Sequence, residues 1–155
     1  MQMSMRLIIL ATGFVLATVG AEAGDRDDYV ATARRVVPAA QHGEARSQTV
    51  LGFMYATGRG VPQHFGNAVD WYSRAAEQGD PTGQYLLGLM YDKGQGVPQD
   101  DVLAHKWLIL AAAHASGRQR DYYTRIRDAV AFKLTPAQIS EAQDLANAWR
   151  PTRER

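Results

Sequence analysis

The sequence predicts an all-α protein built of stacked helical hairpins, and two observations predict it. A 36-residue stretch occurs twice in tandem, and its apolar residues recur at the spacing of a helix face. Residues 43–78 align with 79–114 without a gap, and fifteen of the 36 positions are identical. Chance would give about two if each residue type made up roughly a twentieth of the chain. A period of this length marks a unit that buries its apolar face by stacking on copies of itself.

The chain opens with a segment of a different kind. Arg6 is followed by an uncharged run from Leu7 to Val19 and then by Ala21-Glu22-Ala23. That is the layout of a secretory signal peptide, so residues 1–23 are expected to be removed by a cut after Ala23. The run is shorter than the ~20 residues that a helix needs to cross a bilayer. The expectation is therefore a periplasmic or secreted protein with no stable membrane insertion after cleavage. Cysteine is absent, which removes lipid attachment, disulfides and thiol chemistry. Residues 24–155 form one domain that must hold together through its apolar core.

Residues 31–43 match the second helix of a unit in phase, since Ala39, Ala40 and Gly43 fall 36 positions before Ala75, Ala76 and Gly79, so residues 28–42 are read as that helix. They predict a lone leading helix. Repeat one (43–78) and repeat two (79–114) each read as two helices. Leu51, Met54 and Tyr55 form the apolar stripe of the first helix, and Leu87, Met90 and Tyr91 repeat it. Ala68, Trp71, Tyr72 and Ala75 mark the second, echoed by Ala104, Trp107, Leu108 and Ala111. Between them lie Gly58-Arg59-Gly60-Val61-Pro62 and Gly94-Gln95-Gly96-Val97-Pro98, which end one helix and reverse the chain. Gly52 and Gly88, mid-helix, point to close helix crossing, and both tryptophans read as core. Asp80 and Asp100 are placed to cap the helices that follow them. After Gly117 the register is lost, but residues 117–150 still hold two helical segments, 118–132 and 136–150. The second begins at Thr135-Pro136-Ala137-Gln138, which supplies a cap, a proline at the first position and a glutamine at the third. They are expected to form a capping helix pair, for seven helices in all.

These motifs, from Gly43 through Leu51-Gly52-x-Met54-Tyr55-x-x-Gly58-x-Gly60-Val61-Pro62 to Trp71-Tyr72-x-x-Ala75-Ala76-x-Gln78-Gly79, resemble the Sel-one-like repeat (SLR), a relative of the tetratricopeptide repeat. The closing stretch from Leu134 to Trp149 resembles the tail of short bacterial members, so the likeness covers residues 26–150. It implies a right-handed α-α superhelix, a tetratricopeptide-like solenoid of antiparallel helix pairs that serves as a protein–protein interaction scaffold. The chain departs from the pattern at His64, where an acidic residue is usual, and at Gly66 and Gly83, where alanine is usual. All three are expected to loosen the starts of their helices. Some exported members carry paired cysteines and a few have been associated with β-lactams, but this chain has no cysteine.

In the tetratricopeptide fold the first helix of each pair lines the concave surface. Carried over, this implies a partner-binding groove of Arg46, Thr49, Phe53 and Ala56 from repeat one and Thr82, Tyr85, Leu89 and Asp92 from repeat two. Phe53, Tyr85 and Leu89 would form an apolar strip for an extended or helical peptide, or else pack on a neighbouring helix. On the first reading, a charge at Phe53 or Tyr85 abolishes partner capture without lowering the melting temperature.

Composition and motifs exclude several classes of function. Apolar residues make up 46% and charged residues 21%, too apolar for a disordered chain. A net charge of +1 gives no field that would steer the protein to nucleic acid or an anionic membrane. His42, His64, His105 and His114 lack metal-ligand spacing and read as incidental surface residues. No nucleophile elbow, phosphate loop or dinucleotide fingerprint occurs. Five cations lie between Arg118 and Lys133, beside Tyr122 and Tyr123, but Asp121 and Arg125 at i, i+4 suit an ordinary solvated face. The expectation is an exported adaptor for a protein or peptide, without catalytic residues, metal or cofactor and without nucleic acid. The alternative is an envelope enzyme or small-molecule binder acting on β-lactams or peptidoglycan fragments.

Overall fold

The computed structural model describes residues 28–152, so the expected signal segment lies outside the described residues. Seven helices and no strand occur among the described residues: α1 (28–41), α2 (Ala45–Thr57), α3 (Phe65–Glu77), α4 (Pro81–Lys93), α5 (Asp101–His114), α6 (Gly117–Ala131) and α7 (Pro136–Ala148). α1 is the expected leading helix. α2 with α3, and α4 with α5, are the hairpins of the two repeats, and each hairpin leans on the next to form a superhelical stack.

A buried polar clamp recurs in each repeat. The Gln48 amide donates to the Ala40 carbonyl at the end of α1 (3.2 Å) and accepts from the Gln78 amide after α3 (2.8 Å). Gln84 donates to the Ala76 carbonyl (3.1 Å) and pairs with His114 Nδ1 (2.8 Å), which stands where Gln78 does. Both glutamines are fully buried. Each ties a first helix to the preceding helix and to its own partner, adding a second donor to a helix-end carbonyl that also accepts a backbone N–H from Gly43 or Gly79.

Glycines set how closely the helices cross. A Cβ on Gly52 would lie 2.6 Å from the Tyr72 ring, and one on Gly88 would lie 3.0 Å from Leu108 Cγ. The turn glycine Gly96 has φ +75°, and a Cβ there would meet the Phe65 carbonyl at 2.5 Å. Gly60 stands in the same relation to Tyr29 at the start of α1. Each turn is thus pressed on the first residue or two of a helix 31 positions earlier, which fixes the step between repeats.

Three expectations about helix starts are corrected. His64 does not loosen α3, because its neutral Nδ1 accepts from the Asn67 backbone N–H at 3.0 Å and so acts as the cap. Asp100 does the same for α5 through Leu103, 36 residues on. Gly83 is tight rather than loose, since a Cβ there would meet Ala75 Cβ at 2.8 Å and Thr49 Oγ1 at 2.9 Å. Gly66 leaves the start of α3 in repeat register, with a Cβ meeting only the His64 ring at 3.0 Å. Thr135 and Gln138 form the expected capping box.

The main core joins Ala68, Val69, Tyr72 and Ala76 of α3, Leu87 and Met90 of α4, Trp107 and Leu110 of α5, and Ala146 of α7. Trp107 is buried, whereas Trp71 is half-buried, packed on the α1–α2 cluster with the Arg74 guanidinium 4.7 Å above its ring. The C-terminal helices do not pack chiefly on each other. α6 packs on α5, and α7 also packs on α5. From there Trp149 donates its Nε1–H to Glu77 at the end of α3, 3.2 Å away. The expected capping pair is thus one further first helix and one strap.

Two substitutions test this frame. Gly52→Ala gains about 1 kcal/mol of helix propensity but forces a methyl into Tyr72, and such overpacking costs roughly 1–3 kcal/mol. A net loss of stability in urea denaturation is expected. Gln84→Leu removes both hydrogen bonds of the clamp, with an expected loss of about 1–3 kcal/mol and no loss of helix by circular dichroism.

Candidate partner-binding surface

The eight groove residues divide into two halves with different fates. On α2, Arg46 is exposed and Phe53 is 40% exposed. Ala56 packs against the main core. Thr49 is buried instead of facing a partner: its hydroxyl donates to the Asp80 carboxylate at 2.8 Å, while the other role of Asp80 is to cap α4 through Gly83. Thr49 is therefore a joint between α2 and α4.

On α4 the corresponding face lies under α6. Tyr85 stacks on Tyr123 with ring centroids 4.4 Å apart, meets Tyr122 edge-on at 5.7 Å, and shares a hydroxyl contact of 3.2 Å with Tyr122. Burial, and then the hydrogen bond to Tyr122, raise the Tyr85 phenol above its ordinary range. Thr82 accepts from Gln119 and from the Tyr123 hydroxyl, and Asp92 pairs with Lys133. Leu89 is half-buried. Tyr85 thus takes the second of the two roles open to it in the sequence, packing on a neighbouring helix. The signal for this was Tyr85 itself, a large ring where repeat one has Thr49, with two further tyrosines at 122 and 123.

What stays open on this side centres on Phe53. Arg59, in the first turn, donates to the Tyr29 hydroxyl at 2.9 Å, with its guanidinium 5.2 Å from the Tyr29 ring centre and 6.0 Å from that of Phe53. Neither Arg59 nor Tyr29 stood out in the sequence, because the contact joins residues 30 apart across a turn whose repeat partner, Gln95, carries no charge.

The basic stretch of α6 is largely occupied with the protein itself. Arg120 donates to the Ala115 carbonyl, Arg127 pairs with Asp128 at 2.7 Å, and Arg125 reaches the Asp121 carbonyl oxygen. The expected Asp121–Arg125 carboxylate pair is replaced by that backbone contact. Among the described residues no three His, Cys, Asp or Glu side chains converge as metal ligands.

One histidine was misplaced as a surface residue. His105 is buried between α5 and α6, and its Nδ1 has no partner among the described residues. Burial, and then the nearby Arg127 charge, hold its pKa below the ordinary 6.5, against weaker opposing pulls from the Arg127 backbone and Asp128.

The stack defines a class before any comparison, namely a helical-repeat scaffold with helix-pair units of 36 residues. The Sel1 repeat family model matches residues 45–80 and 81–116. A Sel1 repeat protein from Oxalobacter formigenes is similar at 33% identity and TM-score 0.54, over 73% of this chain and 98% of that one. c5321, a protective antigen of uropathogenic Escherichia coli strains with an SLR fold, is similar at 30% identity and TM-score 0.69, over 85% of this chain. The chain spans 31% of the length of c5321. A search of curated proteins returned no match. The chain belongs to the Sel1-repeat family, whose fold generally serves as a protein-interaction scaffold.

The buried imidazole sets a pH dependence with a definite sign. A folded-state pKa below the unfolded value penalises folding wherever the unfolded chain takes up a proton and the folded one does not. Stability is therefore full above about pH 7 and falls as pH drops through 6.5, the ordinary histidine value. His105→Leu should flatten the melting temperature between pH 7.5 and 5.5; an unchanged slope there would assign the loss to other groups.

Proposed function

We propose that this protein is an exported adaptor that captures a protein or peptide partner on the α2 side of its open face, with no cofactor and no reaction of its own. The observation that carries the reading is the exposure of the Phe53 ring, 40%, at a position whose counterpart in repeat two, Leu89, is half-buried. A half-exposed aromatic ring beside cations has the make-up of an interface anchor, since aromatic and arginine side chains dominate binding hot spots. Arg46 lies two turns before Phe53 on α2, and Arg59 lies against its ring. A partner segment with an apolar side chain for Phe53 and carboxylates for the arginines fits this surface.

Export rests on the signal-like layout of residues 1–23 and is in keeping with the likeness to a protective antigen. No helix among the described residues is long and apolar enough to cross a membrane.

Affinity capture from the cell's own envelope, followed by mass spectrometry, tests the reading. Phe53→Asp should lose the partner and leave the melting temperature within a few degrees, because the ring is 40% exposed and belongs to none of the core clusters. Tyr85→Asp should instead lower stability by about 2–4 kcal/mol, since it removes a stacked ring from beneath α6. Covalent mass gain on incubation with a labelled penicillin, or retention of the partner by the Phe53 variant, would overturn the proposal.

A further inference from the structure

We propose that the groove between α1 and α2 docks a helix of a partner protein, one with a small-residue stripe on its buried side and an acidic edge. The groove encloses about 280 Å³ and is lined by Arg35, Val36 and Ala39 of α1, by Glu44, and by Arg46, Ser47 and Val50 of α2.

The internal repeat shows what such a groove holds. Thirty-six residues on, Tyr72 and Ala75 of α3 with Asp80, Gly83 and Leu86 form the same groove, and α2 lies in it. Thr49 donates to Asp80, Gly83 makes room for the Thr49 hydroxyl, and Gly52 sits against the Tyr72 ring. One repeat further, Leu108 and Ala111 of α5 with Gln119 and Tyr122 of α6 form it again, and α4 lies there. Gly88 abuts Leu108, Thr82 meets Gln119 and Tyr85 meets Tyr122. The groove occurs three times, and in two of them it holds the first helix of the preceding repeat. Among the described residues no helix precedes α1 to fill the first.

The differences at the first groove give the chemistry of its occupant. Val36 replaces Tyr72, so the crossing residue of the incoming helix has room for alanine as well as glycine. Glu44 replaces Asp80 and Ser47 replaces Gly83; the Ser47 hydroxyl donates to one Glu44 carboxylate oxygen at 2.7 Å, and the other calls for a hydroxyl or amide donor where Thr49 stands. Arg35 replaces Trp71 and Arg46 replaces Thr82; both are exposed, and neither enters an ion pair among the described residues. Two rim cations favour carboxylates on the arriving helix. The chain's own segment in repeat register, residues 9–21, has Leu16 in place of Gly52 and no carboxylate, so it lacks both features.

The test uses the full chain and a fluorescein-labelled, helix-stapled peptide. The peptide carries the α2 sequence 44–57, with Thr49 and Gly52 kept and glutamates placed along one edge. Saturable binding by fluorescence anisotropy is expected. Arg35→Glu with Arg46→Glu should weaken it at least tenfold, and a lysine-edged peptide should regain that loss. Val50→Trp, which fills the groove, should abolish binding, while circular dichroism shows each variant folded. Absence of binding, or binding indifferent to these changes, would sink the inference. So would self-association that Val50→Trp removes, which would make the occupant a second copy. Cross-linking of Ser47→Cys to residues 1–27 of the same chain would also sink it. Phe53→Asp should leave peptide binding intact, so this proposal and the adaptor reading can fail separately.

Discussion

The stack depends on one buried amide per repeat. Apolar burial supplies most of the drive to fold, but it is non-directional and would tolerate a sliding or rotating helix. Gln48 and Gln84 do not tolerate it. Each must place its amide N–H on a carbonyl at the end of the preceding helix, and its amide oxygen on a side chain at the end of its own hairpin. A slip of one residue would leave buried polar groups without partners, at about 1–3 kcal/mol each. The glutamine therefore fixes register, and Gly52, Gly88 and Gly96 let the backbones come close enough for it to reach.

This constraint explains why the surface is uneven along the stack. Every first helix offers one face to the next first helix, so a residue there stays open only where no neighbour follows or where the neighbour falls short. Repeat two is followed by α6, whose Tyr122 and Tyr123 take up Tyr85 and Thr82, while Lys133 just beyond it takes up Asp92. α7 turns away from α6 and spends its apolar side on α5 and α3, carrying Trp149 to Glu77. The C-terminal end is closed twice over. At the other end, among the described residues, α1 is a second helix with no first helix before it.

Much of the fold was legible in the sequence because it is periodic. The identity of fifteen positions at a spacing of 36 places the hairpins, and Asp80, Asp100 and Thr135 place helix starts through local chemistry. The reading went wrong where a residue's fate depends on a segment outside the repeat. Thr49 and Tyr85 lie on a face that looks open on a single helix, and only the approach of α4 and α6 buries it. His105 follows the same logic, because α6, which lacks the repeat register, covers it. Arg59 escaped notice because its partners, Tyr29 and Phe53, meet it only after the chain has reversed.

The repeat also shows how one position can be served by different chemistry. At the helix start, His64 accepts a backbone N–H through an unprotonated Nδ1, in the place where Asp100 uses a carboxylate. In the clamp, His114 must carry its proton on Nδ1 to donate to Gln84, in the place where Gln78 uses an amide. The two imidazoles are thus held in opposite tautomers by the geometry of the repeat. What the repeat keeps at each position is the direction of a hydrogen bond, and the residue type is free to change so long as that direction is met. Glu44 is the exception: it stands where Asp80 caps α4 but makes no cap bond to α2, and its carboxylate accepts the Ser47 hydroxyl at 2.7 Å instead.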